Sequence, residues 1–327
     1  MKTAVLLNDT SRRYHHGCSR VTRQIKSLLH EQEITVTASS QAHTDWIKNS
    51  EFLHKLKTAD VIIINGEGTL HHGAARAQPL LDIITSPLSA HRPVCLINAL
   101  WQENPKHWAD IAGQCAIVSV RDSQSAKELN AAGVTDVRLI PDLSLTGGNM
   151  VRGPNPHGII VGDSVRYEIR KLLAAQAQVL RAHYIPTKTL KSRLWHFPPA
   201  AAALWRVYNG IYSGKVPDFS MAKDDHEYLK LLSQASGHIT GRFHGVCLSI
   251  LAHTPFLALT SVTSKVQTLI HDAGLDPSRV ITPAEFEQNP NRLPPEFSLA
   301  EQNNIRDFVD MANQGAQALF SDIRGLL

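Results

Sequence analysis

Short apolar runs alternate with helix-length amphipathic stretches along the first half of this chain. Residues 4–7 read as a strand, residues 21–30 as a helix after a polar loop, and residues 34–38 as a second strand. Val61-Ile62-Ile63-Ile64 is continuous and β-branched, the mark of a strand buried on both faces of a parallel sheet. Residues 93–97 and 116–120 repeat that pattern, each followed by a polar loop and a helix-like segment, and residues 137–140 close the series before Pro141-Asp142. Strands alternating with helices predict βαβ units joined by right-handed crossovers.

The alternation lapses over residues 146–156, where Gly147-Gly148-Asn149 and Gly153-Pro154-Asn155-Pro156 read as a linker. It then resumes: a strand at 159–161, a helix at about 167–181, a strand at 238–240 with a helix from His244, a strand at 256–259, a helix from Lys265 and a last strand at Val280-Ile281. Residues 300–323 form a long amphipathic segment. The prediction is an α/β chain of two Rossmann-like doubly wound domains facing a central cleft. The first spans 1–150. The second spans 157–296 with an insertion at 188–217, and a C-terminal helix over 297–327 packs across the junction. A length of 327 residues suits two cores rather than one.

Composition narrows the classes. With 43% hydrophobic and 19% charged residues the chain is globular. A formal charge of +4 suits an anionic small substrate, and without a Lys/Arg block or basic helix no nucleic-acid partner is expected. Cys18, Cys95, Cys115 and Cys247 are scattered and read as reduced thiols. The apolar run at 4–7 is too short for a signal peptide, and no stretch reaches the 18 apolar residues of a membrane span, so a cytoplasmic protein is expected.

Three loops follow buried strands, where α/β folds place ligands. The first, Asn65-Gly66-Glu67-Gly68-Thr69-Leu70-His71-His72-Gly73, has small residues that let backbone N–H groups approach a ligand. It fits neither the Walker nor the GxGxxG spacing. The second is Val120-Arg121-Asp122-Ser123-Gln124-Ser125, with Arg121 placed to fork onto a carboxylate or phosphate, and Ser123 or Ser125 placed to cap the next helix with Glu128 as its partner. The third is Gly241-Arg242-Phe243-His244-Gly245, in which Arg242 and His244, alternating along an extended stretch, put a fixed cation and a titratable imidazole on one side.

In this order the three loops resemble the polysaccharide pyruvyl transferase family, which carries a GGGTL-like turn, then VRD-x-x-S, then GRxHG. Ile140-Pro141-Asp142, Thr254-Pro255-Phe256 and Lys265 extend the resemblance over about residues 60–275. It implies a GT-B-like transferase that takes phosphoenolpyruvate as co-substrate, with neither cofactor nor metal, and leaves a pyruvate ketal on two sugar hydroxyls of a cell-surface polysaccharide or lipid-linked glycan precursor. His244 would handle a proton. Arg121 and Arg242, with Gly66, Gly68, Thr69, Gly245 and Lys265, would bind the donor.

Several residues depart from that pattern. Glu67 stands where the family commonly has glycine, and becomes a candidate base for an acceptor hydroxyl. Asp9, His15 and His16 in the N-terminal loop, His71 and His72 after the turn, and Asp142 are candidates for the acceptor or the cleft wall. These features leave open a glycosyltransferase that uses a nucleotide-activated sugar such as a CMP-linked keto acid, and a noncatalytic glycan-binding member. A metal held by the two adjacent histidine pairs is not expected, because neighbours in sequence rarely chelate one ion. Within 188–217, Lys188, Lys191, Arg193, Arg206 and Lys215 interleave with Trp195, Phe197, Trp205, Tyr208 and Tyr212, a composition suited to an anionic inner-membrane surface.

Overall fold

The computed structural model describes residues 1–148, 152–189, 198–208, 218–260 and 264–327. The chain divides into two compact units, residues 1–12, 21–146 and 310–327 in the first, and 13–20 with 147–309 in the second. The main passage between them falls at Thr146/Gly147, inside the glycine-rich stretch. The grouping of residues 13–20 with the second unit has no counterpart in the sequence reading, whereas residues 310–327, the end of the C-terminal helix, group with the first.

In the first unit, strands β1 (Lys2–Asp9), β2 (Ile34–Gln41), β3 (Val61–Asn65), β4 (Val94–Ala99), β5 (Ile117–Val120) and β6 (Val137–Leu139) pair in the order β2-β1-β3-β4-β5-β6, all parallel. The helices met along this part of the chain are α1 (His16–Glu31), α2 (Ser50–Leu56), α3 (Gln78–Asp82), α4 (Lys106–Ala112) and α5 (Ser123–Ala131). β3 shows why its sequence is continuously apolar. Ile62 and Ile64 join the core on one face of the sheet, and Val61 and Ile63 join the core on the other. β1 splits in the same way, Val5 and Leu7 against Ala4 and Leu6.

The second unit holds β7 (Ile159–Ser164), β8 (His183–Tyr184), β9 (Gly237–Gly241), β10 (Phe256–Leu259) and β11 (Val280–Ile281), in the order β11-β10-β9-β7-β8, again all parallel. Its helices are α6 (Tyr167–Val179), α7 (Pro198–Tyr208), α8 (Asp225–Gln234), α9 (Phe243–Leu251), α10 (Lys265–Asp272), α11 (Pro283–Gln288) and the start of α12 (Leu299–Gly325). The last part of α12 belongs to the first unit, where Ala316, Leu319, Phe320 and Ile323, spaced by three and four, enter the core beside Val21, Ile25 and Leu29 of α1.

Both sheets share one plan. The strand first in sequence sits second from an edge, the second strand outside it, and the third on its other side. Strand order therefore reverses between β1 and β3 and between β7 and β9, and the C-terminal ends of those pairs are where such sheets bind ligands. Most of the insertion's basic and aromatic residues, Lys191, Arg193, Trp195, Phe197, Tyr212 and Lys215 among them, lie outside the described residues.

Candidate functional site

In the second unit the switch point is built from the ends of β7 and β9. Arg242 follows β9 with extended backbone (φ −113°, ψ 133°) and caps α9, which begins at Phe243. The expectation that Arg242 and His244 alternate along an extended stretch is therefore corrected: His244 lies in the first helical turn. Gly245 is the reason the helix can turn in so early, since a Cβ there would come within 2.4 Å of Thr240 Oγ1. Arg242 donates through Nε to Asp163 Oδ2 at 2.9 Å and through Nη2 to the same oxygen, while Asp163 Oδ1 accepts Thr187 N at 2.9 Å. Asp163 is 1% exposed and Arg242 9%, so the guanidinium is held as a buried, oriented cation.

The turn that opens α1 lies against this arrangement. His15 bridges Lys188 antiparallel, Thr189 N donates to Tyr14 O at 2.7 Å, and His16 N donates to Thr187 O at 3.0 Å. A Cβ built on Gly17 would overlap His244 Cβ and Cγ at 2.2 Å, so the histidine sits directly on the backbone of that turn. The His15 and His244 rings meet edge to face with centroids 5.3 Å apart, and His16 stacks on Tyr228 at 5.0 Å. Burial holds His15 well below the ordinary imidazole value, with His244, Arg242 and Arg13 pushing the same way. Burial also lowers His16 to about 4, opposed by Asp225, Asp224 and Asp163. The Lys188 ammonium is lowered by loss of solvent, then by Arg242 and Arg13. Arg242, Arg13 and Lys188 thus gather cations around histidines held neutral, a setting that suits a small polyanion.

The first unit carries its own polar cluster at the ends of β1 and β3. Asn8 Nδ2 donates to Asn65 O at 2.6 Å and Thr69 Oγ1 at 3.2 Å, and Thr10 Oγ1 donates to Glu67 Oε2 at 2.7 Å. Glu67 is 2% exposed, so its carboxylate is part of a buried network. Gly66 lets the turn lie on β4, since a Cβ there would come within 2.6 Å of Ala99 Cα, and Gly68 needs its freedom for φ +56°. Burial pushes the Asp9 carboxyl up, but hydrogen bonds from Ser11 and the charge of Lys26, whose Nζ is 3.0 Å away, bring it below the usual range.

Arg121 Nη1 is bonded to Asp142 Oδ2 at 2.9 Å, both side chains buried, so two residues assigned separate tasks form one ion pair. The expected serine cap of α5 is corrected: Asp122 caps it by accepting Ser125 N at 2.8 Å, while Ser125 Oγ accepts Trp101 N and Glu128 accepts Glu103 N. Asp outcompetes Ser here because its charge also meets the helix N-terminus. His71 is half-buried, exposed His72 bonds Glu103 through Nδ1 at 2.9 Å, and Lys265 opens α10 half-buried. His71 and His72 belong to the first unit, His15 and His16 to the second.

A family model described as polysaccharide pyruvyl transferase matches residues 10–261 of the chain. The chain belongs to this family. Against curated protein sequences nothing matches. Among solved structures it is similar to Glycyrrhiza uralensis UGT73P12 complexed with glycyrrhetinic acid 3-O-monoglucuronide, with TM-score 0.56 at 8% identity, covering 100% of this chain and 96% of that one. It is also similar to S. aureus MnaA in a co-structure with UDP (TM-score 0.54, 11% identity, 97% and 94% covered). A third is sucrose-phosphate synthase of Thermosynechococcus elongatus (TM-score 0.52, 12% identity, 98% and 97% covered). At such identities the likeness shows the fold, a GT-B type built of two parallel-sheet α/β domains. As a polysaccharide pyruvyl transferase family member with this fold, the protein is a transferase.

Two residues of this site in the pyruvyl transferase family member, Asp163 and Gly17, escaped the sequence reading, and a third, Lys188, was read only as part of the basic and aromatic insertion. Asp163 was legible in principle, as an acid closing a buried strand in the second alternating series. Gly17 and Lys188 were not, because only tertiary contact places one beneath His244 and the other beside His15. No helix among the described residues is long and apolar enough to cross a membrane.

Proposed function

We propose that the protein transfers the pyruvyl group of phosphoenolpyruvate to two hydroxyls of a glycan acceptor as a ketal, releasing inorganic phosphate, on a cell-surface polysaccharide or its lipid-linked precursor. The observation that carries this is Arg242, a buried guanidinium oriented by Asp163, next to His244 in the first turn of α9, with Arg13 and the more exposed Lys188 as further cations beside them. A compact donor carrying a carboxylate and a phosphate suits them. Arg242, oriented by Asp163, binds the anionic groups. His244 gives its proton to the methylene carbon of the enol, leaving C2 electrophilic. One acceptor hydroxyl then adds at C2, phosphate departs, and the second hydroxyl closes the ketal, two hydroxyl protons having been released. No metal enters the scheme.

The test pairs binding with turnover. Phosphoenolpyruvate is expected to raise the thermal midpoint where CMP and UDP do not, because a ligand binding only the native state stabilises it. Stabilisation by a nucleotide alone would transfer the assignment to a glycosyltransferase. His244→Ala is expected to abolish phosphate release with the fold intact.

A further inference from the structure

His15, Cys18 and His244 form a group that the transfer chemistry does not account for. Ser19 N already donates to His15 O at 2.9 Å, so the helical turn begins at His15, and His15 and Cys18, three apart, lie on one side of it. Gly17 between them has no Cβ, which lets His244 seat on the same turn. One imidazole nitrogen each from His15 and His244 and the Sγ of Cys18 all lie within 4.8 Å of one another. Cys18 and His244 are 4% and 7% exposed, and the Nδ1 of His15 is shielded from water with no hydrogen-bond partner among the described residues.

We propose that His15, Cys18 and His244 bind one divalent ion of borderline softness, Zn2+ being the best match, with water as fourth ligand. Two imidazoles and a thiolate suit Zn2+, whereas Mg2+ and Ca2+ take oxygen ligands. Zinc holds nitrogen and sulfur at about 2.0–2.3 Å, which needs donor atoms about 3.3–3.7 Å apart and an inward movement of about an ångström. The neighbouring positive charge does not forbid it. Arg242 is paired with Asp163, and Cys18 releases its thiol proton to solvent as the metal–sulfur bond forms, so the ligand set contributes a negative charge. In one respect the inference rests on the function proposed above: an ion on His244 removes it from proton transfer, so occupancy turns the enzyme off. Binding itself does not depend on which donor is used.

The whole chain, stripped with a chelator, is titrated with Co2+. The expected result is one Co2+ per chain, with visible bands of a tetrahedral site, a near-ultraviolet thiolate-to-cobalt band, and loss of both when Zn2+ is added. Cys18→Ser is expected to lose the near-ultraviolet band, and His15→Gln to keep it. Each is expected to weaken binding by more than the about 10–100-fold that loss of a supporting residue costs. In parallel, one equivalent of Zn2+ stops phosphate release by the wild type. Cys18→Ser, active without metal, resists it. An octahedral cobalt spectrum, or bands unchanged in Cys18→Ser, overturns the site whatever the donor. Tetrahedral binding with turnover that survives saturating Zn2+ overturns the switch.

Discussion

Gly17 has two demands on it that point in opposite directions. It is the second residue of α1, where helix propensity alone favours alanine by up to about 1 kcal/mol. A Cβ there meets the Cβ and Cγ of His244 at 2.2 Å, atoms near the root of the side chain that cannot swing away. Gly17→Ala is therefore expected to displace His244. Turnover should fall at least about 10-fold at a stability cost of about 1–3 kcal/mol, as read from steady-state kinetics beside a thermal melt. Unchanged kcat would mean His244 acts from another position. Asp163 makes the complementary case. Asp163→Asn removes the charge opposite Arg242, a buried guanidinium, and is expected to cost about 3–5 kcal/mol in denaturant unfolding and to raise the KM for the donor. A loss of less than about 1 kcal/mol would show that Arg242 finds other partners.

At the scale of elements, short strands and their following helices are set by close approach, and long ones by amphipathic faces. α9 is buried along all nine of its residues and starts on top of β9 because Gly245 accommodates Thr240. α12 depends on a different anchor. Arg279, 1% exposed, donates through Nε to Glu301 Oε1 at 2.6 Å and through Nη2 to Glu301 Oε2 at 2.9 Å, and also reaches the carbonyls of Pro295 and Glu296. Those hydrogen bonds, outweighing burial, hold the Glu301 carboxyl down to about 2. Glu301→Ala leaves the cation buried without its carboxylate, so an equilibrium loss of about 3–5 kcal/mol is expected, with Glu301→Gln intermediate. Equal stability of the two variants would assign the effect to packing instead.

For the whole molecule, buried neutral histidines set the response to acid. Burial lowers His16 to about 4 and His238 to about 3, against an ordinary value of 6.5. Between about pH 6.5 and those lowered values the unfolded chain takes up protons that the native chain refuses. Stability is thus intact above pH 6.5 and lost as pH falls, by up to about 1.4 kcal/mol per pH unit for each such group. His15 adds to this in the same direction. The thermal midpoint is expected to drop steeply from pH 6 to pH 4, and His238→Gln, although less stable at neutrality, to show a slope shallower by about one proton. A slope identical to wild type would remove His238 as a cause.

Hydrophobic pattern alone determined the two alternating series, the buried parallel strands and the glycine-rich passage between them, because burial on both faces of a sheet leaves no other residue choice. The order of the three loops identified the family and put Arg242, His244 and Glu67 among the candidates. Other features needed tertiary structure. Arg121 and Asp142 read as separate functional residues until the fold joined them, and an ion pair spanning 21 positions leaves no local spacing to detect. Asp163 meets Arg242 across 79 positions, and residues 13–20 join the second unit from the far end of the chain. Sequence records which chemistry each strand end carries. Which ends become neighbours is decided by strand order, and that depends on the packing of the whole sheet.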